Sequence, residues 1–579
     1  MSVDLPLTDQ AESTDHPQRA RPSRYNWRKA DRDSLLAYRQ HMDLLLLPFL
    51  QAEPLAACDD VMCSNQSHLD SIDSYCEFLV DSALQASSRS IPTKHHGRRM
   101  VAGWNDYARP ERETALFWHR IWVDCGRPMQ GAVYDVMKRT RHKYHYTVRR
   151  LLNQGNREKR RQLAEKIGSR DLWEELKKIQ PKLSGHNLPP CMDNSTGNKA
   201  ICSLFSKKFE ALYSSVPTTP SELAQARDDI TRRLTDERYD STITAELLKR
   251  CTRMLKKNKH DPHSGLDSDH LIHCSDVLLL CLSRLFQAML IHGHAPRCLQ
   301  HSTIFLIPKK PAPLCSSDNY RGIALSSAIC KLFDLVLIRM NKERLATSDL
   351  QFGFKEKLST TMCSAVLLET ISHFTRRSSN VYVCLLDATK AFDRVHFGRL
   401  FTLLLNRGIP SPVVRILLDL YTGSINQVSW GEHVSTPFST RNGVKQGGVL
   451  SPLLFTVYFD ELLSRLAHLG VGCTIGCSFV GALAFADDVT LLSPSLLALV
   501  EMLECCSSYA SEFAVKFNAS KTLCLKFGSP RDDRERLYMD GEEVAWADRC
   551  LHLGNRIVAG RDMIDTDYAL SCFYMDMLI

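Results

Sequence analysis

The stretch ALAFADDVTLL, Ala482–Leu492, places two neighbouring carboxylates inside an apolar run. The short apolar runs on either side of Asp487 and Asp488 are typical of two strands joined by a turn, here called the aspartate hairpin. A carboxylate sheltered from water costs several kcal/mol unless it is paired or bound to a metal ion. The stretch therefore predicts a partner that compensates these charges. For an isolated pair of aspartates, a solvated turn would be the simpler interpretation.

A second acidic segment lies upstream, in VYVCLLDATKAFDRV (Val381–Val395). Its apolar start is typical of a buried strand that ends at Asp387, with Asp393 a short distance further on. If this strand lies beside the aspartate hairpin, three carboxylates converge and repel one another, and two divalent cations would relieve the repulsion. Because adjacent strand residues point to opposite faces, we expect Asp487 to be a stronger ligand than Asp488.

Carboxylates that hold two cations about 3.5–4 Å apart are the apparatus of in-line phosphoryl transfer. One cation lowers the pKa of an attacking 3′-hydroxyl, and the other holds a triphosphate and stabilises the leaving pyrophosphate. The acidic pattern therefore indicates nucleotidyl transfer, with Asp387, Asp487 and Asp488 as the candidate catalytic and metal-binding residues.

The net charge of +8 is concentrated in one segment. Between Lys138 and Lys182 the chain has 15 Lys and Arg against 5 Asp and Glu, with Tyr, His and Trp among the cations. A basic helical stretch of this kind suits the phosphates and bases of a nucleic acid, although a solvated helical face would have the same pattern. The candidate nucleic-acid-binding residues are Lys138, Arg139, Arg141, Lys143, Arg149 and Arg150.

The composition, 44% hydrophobic and 24% charged, is that of an ordinary globular protein. The 21 cysteines show neither a repeated C-x-x-C pair nor a histidine partner at zinc-finger spacing, which favours buried free thiols in a reducing compartment. No signal peptide is evident, and the apolar run Val277–Ile291 is too short for a membrane span and contains Arg284. We predict a buried helix there, and a soluble intracellular protein without a membrane partner.

Eight segments in a fixed order make the sequence similar to a known family. They are IPKK (Ile307–Lys310), NYRGIAL (Asn319–Leu325), QFGFKEKLST (Gln351–Thr360), LDATKAFDRV (Leu386–Val395), NGVKQGGVLSPLLF (Asn442–Phe455), FADD (Phe485–Asp488), FNASKT (Phe517–Thr522) and LHLGNRI (Leu551–Ile557). Together they resemble the reverse transcriptases of non-LTR (LINE-type) retrotransposons. The resemblance implies an α+β fold, a right-hand polymerase with fingers, palm and incomplete thumb, preceded by a helical N-terminal region.

The resemblance also implies roles for single residues. Asp387 and Asp487 correspond to the principal metal ligands, with Asp488 beside them. Phe392 matches a steric gate whose ring occupies the space of a ribose 2′-hydroxyl and so favours dNTPs. The other implied nucleotide-binding residues are Lys309 and Arg321 on the triphosphate, Gln446 and Gly447, followed by Gly448, in a loop against template and nucleotide, and Lys521 near the pyrophosphate as a general acid.

The cofactor implied by the resemblance is Mg²⁺, as two ions, with Mn²⁺ as a substitute. The implied activity is that of an RNA-directed DNA polymerase, and its partners are an RNA template, a DNA primer and dNTPs. The resemblance alone implies action in the nucleus, at nicked chromosomal DNA, and the sequence leaves protein partners open.

Composition along the chain predicts its division into segments. Two helices in the polymerase part begin with Ser-Pro, and we expect Ser411 and Ser451 to cap them. The predicted segments are 1–26 (disordered leader), 27–182 (basic helical region), 183–200 (linker), 201–289 (helical region leading into the fingers), 290–560 (reverse transcriptase domain) and 561–579 (start of a truncated thumb).

Two other interpretations are compatible with parts of this pattern. The parts of the family that we expect to be missing, an N-terminal endonuclease and a complete thumb, suggest a fragment of a retrotransposon reading frame. Such a fragment could be a catalytically silent remnant that binds nucleic acid through residues 138–182. An intron-encoded maturase is the third interpretation, but it would need an RNA-binding domain beyond the thumb, and NYRGIAL and VKQGGVLSPLLF fit the LINE class better.

Overall fold

A computed structural model describes residues 25–51, 58–93, 109–165, 188–216, 219–236, 242–310, 314–529 and 534–559. The chain divides into two compact units. The larger contains the described residues up to 93 and those from 189 onward, and the smaller contains residues 109–165. Nearly all of the predicted leader and the whole predicted thumb start lie outside the described residues.

The helices, in chain order, have the following bounds. They are α1 (Arg32–Gln51), α2 (Gln66–Ser90), α3 (Arg109–Asp124), α4 (Ala132–Glu165), α5 (Asn198–Leu212), α6 (Pro220–Asp236), α7 (Ala245–Thr252), α8 (Ser268–Ile272), α9 (Asp276–His292), α10 (Arg297–Gln300), α11 (Ala328–Met340), α12 (Thr360–Thr375), α13 (Phe397–Asn406), α14 (Ser411–Thr422), α15 (Ser451–His468) and α16 (Leu496–Glu512). Short 3-10 helices span Ser317–Asn319 and Ala391–Arg394.

The strands are shorter and fall mostly after residue 300. They are β1 (Cys191–Met192), β2 (Ser195–Thr196), β3 (His301–Pro308), β4 (Tyr320–Ser326), β5 (Val381–Leu386), β6 (Ile425–Trp430), β7 (His433–Val434), β8 (Phe438–Ser439), β9 (Thr474–Ile475), β10 (Ser478–Phe479), β11 (Ala482–Phe485), β12 (Asp488–Ser493), β13 (Leu523–Phe527), β14 (Leu537–Met539), β15 (Glu542–Trp546), β16 (Arg549–His552) and β17 (Asn555–Val558).

A six-stranded sheet in the order β11-β12-β5-β13-β15-β14, called the palm sheet below, contains the strands of both acidic segments. Its neighbouring strands are antiparallel except for the parallel pair β13 and β15. Tyr382, Cys384 and Leu386 of β5 face one hydrophobic core, whereas Val381 and Val383 face another. Because β5 is buried on both faces, its sequence is continuously apolar rather than alternating.

Helices cover both faces of this sheet. Helices α15 and α16 pack on the face that belongs to the larger core, and α12 packs on the opposite face. A second sheet has the order β4-β3-β6-β7, with β8 also paired to β6. Its strands β3 and β6 are parallel, and aromatic residues of α5, Phe205 and Phe209, pack in the same core as Ile304 and Val428.

The first two helices pack against the body of the larger unit. Helices α1 and α2 contact each other and α9, and the hydroxyl of Tyr38 donates to the carbonyl of His270 at 3.1 Å. Helix α9 contains the apolar run Val277–Ile291, and most of its residues are buried, as the sequence predicted. No helix in the described ranges combines the length and the apolarity needed to cross a bilayer.

The smaller unit consists of α3 and α4, which pack together along their length. Lys143 of α4 forms an ion pair with Glu111 of α3 at 2.9 Å. All six candidate nucleic-acid-binding cations lie on α4 and are exposed, whereas Met137 on the same helix is buried.

Three details differ from the sequence predictions. The predicted helical region 27–182 is divided between the units, since α1 and α2 belong to the larger and α3 and α4 to the smaller. The predicted linker 183–200 contains the β1–β2 hairpin and the start of α5. Its Asp193 and Asn194 both have positive φ, which these residue types tolerate in tight turns, so a polar composition typical of linkers also suits a hairpin.

Ser411 and Ser451 do not cap their helices as expected. They are the first helical residues, and the N-cap positions belong to Pro410 and Leu450. The carbonyl of Pro410 already accepts the amide of Val414 at 3.1 Å, so the helical hydrogen bonds begin one residue earlier than the Ser-Pro pattern indicated.

Candidate active site

The palm sheet brings the two acidic segments together. Strand β5 ends one residue before Asp387, and β12 begins at Asp488. Val489 pairs with Leu386, so one further step in this register places Asp488 opposite Asp387. Asp487 lies in the turn between β11 and β12. The two strands on which the predicted metal site depends are therefore neighbours.

The charge of Asp387 affects the protonation of Asp487 and Asp488. Burial raises the pKa of Asp487, and the charge of Asp387 raises it further, while Arg321 lowers it. Partial loss of water raises the pKa of Asp488 to about 6, with repulsion from Asp487 and then Asp387 as the next causes. Asp487 is half-buried and Asp488 is exposed, so the two neighbours are unequal, as strand alternation indicated.

Gln351 holds the turn of the aspartate hairpin. This fully buried side chain accepts the amide of Ala486 at 2.9 Å, and its own amide donates to the Ala486 carbonyl at 3.3 Å. Ala486 has φ +60°, a conformation that needs support in a residue other than glycine. A Cβ on Gly353 would lie 2.3 Å from the Ala486 nitrogen, so the QFG segment also needs its glycine. The sequence showed this segment, but it gave no sign of the clamp.

Lys521 lies beside Asp387. Its Nζ is 3.4 Å from Asp387 Oδ2, and its side chain is largely exposed. Two backbone hydrogen bonds hold the segment that contains Lys521 against the end of β5. The Asn518 amide donates to the Asp387 carbonyl at 2.9 Å, and the Thr389 amide donates to the Lys516 carbonyl at 2.8 Å. The structure therefore places this lysine at the first of the predicted metal ligands.

Phe392 is held by aromatic contacts on one side. Its ring stacks on Phe455 with centroids 4.0 Å apart, and it meets Phe354 edge-on at 6.1 Å. The residue remains half-buried rather than fully enclosed. The Val444 amide donates to the Phe392 carbonyl at 2.8 Å, which ties the backbone to the glycine-rich loop.

Asp393 and Gln446 form a buried polar pair next to Phe392. The Gln446 amide nitrogen lies 3.1 and 3.0 Å from the two carboxylate oxygens of Asp393. Burial raises the pKa of Asp393 to about 7, against the opposing effects of Lys390 and Gln446. Asn442 donates to the Asp393 carbonyl at 2.6 Å, so this aspartate anchors the loop at two points. The family resemblance implied that Gln446 lies in a loop against template and nucleotide, and here its side-chain amide binds Asp393.

Gly447 makes a close approach of the loop to the second sheet possible. Its φ is +116°, and a Cβ there would lie 2.6 Å from the carbonyl oxygen of Ala324. The Ala324 amide donates to the Gln446 carbonyl at 2.7 Å, which joins the loop to β4. A glycine is needed because the loop backbone packs directly on the strand backbone.

Lys309 and Arg321 are exposed cations on the paired strands β3 and β4 and the turn that joins them. The Lys309 amide donates to the Asn319 carbonyl at 2.7 Å, and its Nζ donates to the Asp318 carbonyl at 2.8 Å. Both cations lower the pKa of Asp393, and Arg321 also lowers the pKa of Asp487, so the charge of Arg321 reaches the three carboxylates.

A further buried acid supports the start of α15. Asp334 accepts the amides of Val449 and Leu450 at 3.2 and 3.3 Å, directly after the glycine-rich loop. Burial raises the pKa of Asp334 to about 6. Sequence reasoning missed this residue and gave Asp393 no role, because the groups that each of them binds lie far away along the chain.

The donor set at the acidic centre fits divalent cations of the magnesium type. Hard carboxylate oxygens are the ligands that such cations prefer, and a cation would relieve the repulsion that raises the pKa of Asp488. The ligand oxygens of Asp387, Asp487 and Asp488 are not all within 4.8 Å of one another. The charge of Asp387 raises the pKa of both Asp487 and Asp488, so the three carboxylates lie close enough to interact.

The chain is similar to a known protein family and to proteins of known mobile elements. Residues 307–555 match the family model described as reverse transcriptase (RNA-dependent DNA polymerase). The chain is 30% identical over 242 residues to the Retrovirus-related Pol polyprotein from type-1 retrotransposable element R2 of Popillia japonica, covering 41% of this chain and 34% of that protein. It is 24% identical over 328 residues to the RNA-directed DNA polymerase from mobile element jockey of Drosophila funebris, covering 54% and 35%.

A solved structure of apo telomerase from Candida tropicalis, truncated from its C-terminal domain, superposes with a TM-score of 0.35 at 11% identity, covering 67% of this chain and 85% of that one. The chain spans about a third of the length of the two retrotransposon relatives. The family match and these relatives therefore make residues 307–555 similar to the reverse transcriptases of non-LTR (LINE-type) retrotransposons.

Proposed function

We propose that this chain makes DNA on an RNA template by adding dNTPs to the 3′-hydroxyl of a DNA primer. The observation that carries the proposal is the pairing of β5 with β12, which sets Asp387 beside the Asp487–Asp488 turn. The match of residues 307–555 to the reverse transcriptase family supports the same reaction. Nuclear action, which follows from the family resemblance, is part of this proposal.

Asp387 and Asp487 would hold two Mg²⁺ ions, with Asp488 beside them and Mn²⁺ as a substitute. Such ions activate the attacking hydroxyl and stabilise the leaving pyrophosphate. Lys521, 3.4 Å from Asp387, would donate a proton to the leaving group. Its exposure lets it move between Asp387 and a bound substrate.

The nucleotide would lie between the acidic centre and the cations of the second sheet. Arg321 and Lys309 would bind the triphosphate, since their charges already reach Asp393 and the guanidinium fork suits phosphate oxygens. Phe392, braced by Phe455, would exclude a ribose 2′-hydroxyl. Gln446 acts through Asp393 to position Gly447, whose backbone would face the template base pair.

Helix α4 would bind the phosphate backbone of the template. Its six cations are exposed, and helical spacing sets all but Arg141 away from the stripe of Met137, Tyr144 and Val148, which are buried or half-buried. This helix alone would also explain the second candidate function, a catalytically silent protein that binds nucleic acid. The two functions differ in whether the acidic centre does chemistry.

Primer extension separates these functions. The purified chain is incubated with a DNA primer annealed to an RNA template, dNTPs and Mg²⁺, beside Asp387→Asn and Asp487→Asn. The matched control is Asp540→Asn, at an exposed turn far along the chain from the acidic segments. We expect extension by the unmodified chain and the control, and a loss of about a thousandfold or more in the two variants, since each ion supplies several kcal/mol.

Equal extension by all four proteins would remove Asp387 and Asp487 from the mechanism. An unmodified chain that binds the template but extends nothing would favour the silent nucleic-acid-binding protein.

A further inference from the structure

A group of two cysteines and two histidines lies in the larger unit, on residues to which the polymerase site gives no role. Cys58, Cys63, His68 and His292 each direct one potential ligand atom to a common point, and these atoms all lie within 4.8 Å of one another. Among the residues that the structure describes, no other group of three or more histidine, cysteine or acidic side chains meets this spacing.

Three of the four donors come from one short segment, CDDVMCSNQSH. A turn at Asp60 brings Cys63 back toward Cys58, because the Met62 amide donates to Asp60 Oδ1 at 2.8 Å and the Cys63 amide donates to the Asp60 carbonyl at 3.0 Å. Asn65 then caps α2 by accepting the amide of Ser67 at 3.0 Å. This cap fixes the first turn of α2, which carries His68.

The fourth donor, His292, reaches the same point from a distant part of the chain. It is the last residue of α9, is only 8% exposed, and its Nδ1 has no hydrogen-bond partner. Its ring meets that of His68 at a centroid distance of 5.4 Å. A buried nitrogen without a partner is costly unless it coordinates something. The negative end of the helix dipole at this position also favours a cation.

The spacing of Cys63 and His68 is close to that of two ligands on one ion. Cys63 Sγ lies 3.4 Å from His68 Nδ1. Tetrahedral zinc, with Zn–S about 2.3 Å and Zn–N about 2.0–2.1 Å, sets neighbouring ligand atoms about 3.3–3.8 Å apart.

We propose that Cys58, Cys63, His68 and His292 bind one zinc ion. Two thiolates, two neutral imidazoles and Zn²⁺ sum to no net charge, and binding releases the two thiol protons to solvent. Four protein ligands leave no open position, so the ion is structural rather than catalytic. It would fasten the segment before α2 to the end of α9, which packs in the same core as the palm helices.

Nearby groups do not compete for this site. Arg415 of the neighbouring helix α14 donates to the backbone carbonyls of Val61, Leu290 and Ile291, so its charge is directed at carbonyl oxygens. Asp60 uses its side chain on the Met62 amide. The cysteines that the structure describes are free thiols, which leaves both sulfurs available.

The test uses the full chain, purified without chelator, and measures bound zinc by elemental analysis. The zinc is then exchanged for Co²⁺, whose absorption spectrum reports thiolate ligands and tetrahedral geometry. The variant is the double substitution Cys58→Ser with Cys63→Ser. The matched control is Cys125→Ser with Cys477→Ser, which removes two exposed thiols elsewhere.

We expect one zinc per chain and a thiolate-to-cobalt band in the unmodified protein and the control, and neither in the double variant. His292→Gln should keep the thiolate band but weaken Co²⁺ binding by about 10–100-fold, and it checks the site without removing a thiol. The unmodified chain alone can overturn the proposal. Absence of zinc together with absence of the cobalt band would do so, and so would a Cys58–Cys63 disulfide detected by thiol counting.

Discussion

Phe392 presents one face of its ring to the protein and leaves the rest half exposed. Phe455 stacks on the inner face at 4.0 Å, so the ring cannot retreat when a bulkier group approaches from outside. The family resemblance predicts that this ring excludes a ribose 2′-hydroxyl. The structure adds that Phe455 supports the ring from the inner side. The predicted discrimination between dNTPs and rNTPs is steric, since the 2′-hydroxyl of an rNTP would clash with the ring.

Phe392→Ala should lower the preference for dNTPs over rNTPs by about 10–100-fold, because the space of the 2′-hydroxyl is no longer filled. The measurement is the ratio of kcat/KM for dNTP and rNTP addition in primer extension. Phe392→Tyr keeps the ring and serves as the matched control. An unchanged ratio in Phe392→Ala would show that another group excludes the ribose.

Asp393 gives the active-site loop a dependence on pH. Its folded-state pKa is raised from 3.8 to about 7 by burial, so the native state keeps a proton that the unfolded chain releases. The stability that this proton contributes is complete below about pH 4 and is lost as pH rises to about 7. Asp393→Asn removes the titrating group and should flatten the fall in melting temperature over this window.

Thermal unfolding of the unmodified chain and the variant at several pH values checks this prediction, with Asp540→Asn as the control. Parallel curves for the unmodified chain and Asp393→Asn would mean that Asp393 does not hold the proton.

At the scale of elements, the aspartate hairpin was predictable and its support was not. The apolar runs around Asp487 and before Asp387 predicted strands, because the pattern of a strand can be recognised within a few neighbouring residues. The clamp by Gln351 depends on a residue far along the chain whose burial only the tertiary structure creates. The same holds for Asp334, which holds the amides before α15. Local patterns do not encode which distant polar group satisfies a buried turn.

A buried ion pair joins helices α13 and α15, and we expect it to stabilise the folded chain. Asp460 of α15, with its side chain 5% exposed, binds Arg407 at the end of α13 and accepts the amide and hydroxyl of Ser348 at 2.9 and 2.7 Å. Arg407→Ala leaves a buried carboxylate without its cation and should lower the free energy of unfolding by about 3 kcal/mol.

Denaturant unfolding measures this loss. Arg232→Ala breaks a surface pair with Asp229, where Arg232 is 72% exposed, and should cost less than about 0.5 kcal/mol. A loss in Arg407→Ala no larger than in Arg232→Ala would contradict the role given to Asp460.

At the scale of the whole molecule, composition indicated nucleic acid but not the zinc site proposed above. The charge excess between Lys138 and Lys182 is local in sequence, so counting residues finds it. The Cys58–His68 segment has no zinc-finger spacing, and its fourth donor, His292, comes from a distant helix. Sequence spacing cannot reveal a ligand set that only the packing of α2 near the end of α9 completes.

The basic helix predicts how template binding depends on salt. Replacing Lys138, Arg141 and Arg149 with Ala should weaken binding of a single-stranded RNA and reduce the slope of log K against log salt by about 2, since each phosphate contact contributes about 0.7. Fluorescence anisotropy at several salt concentrations gives the slope. The control replaces Arg253, Lys256 and Lys257, which are equally exposed cations of the larger unit. The same reduction in both triple variants would assign the effect to net charge rather than to α4.

The claim that Asp387 and Asp487 bind the two metal ions can be tested most directly by locating Mn²⁺ through its anomalous scattering. The crystals would contain the chain with an RNA template, a DNA primer that lacks its 3′-hydroxyl, and the next dNTP. We predict two Mn²⁺ peaks about 3.5–4 Å apart, each bound by Asp387 or Asp487 and at least one by both. Peaks that involve only one of these aspartates, or Mn²⁺ bound elsewhere with the nucleotide in place, would contradict the assignment of this site.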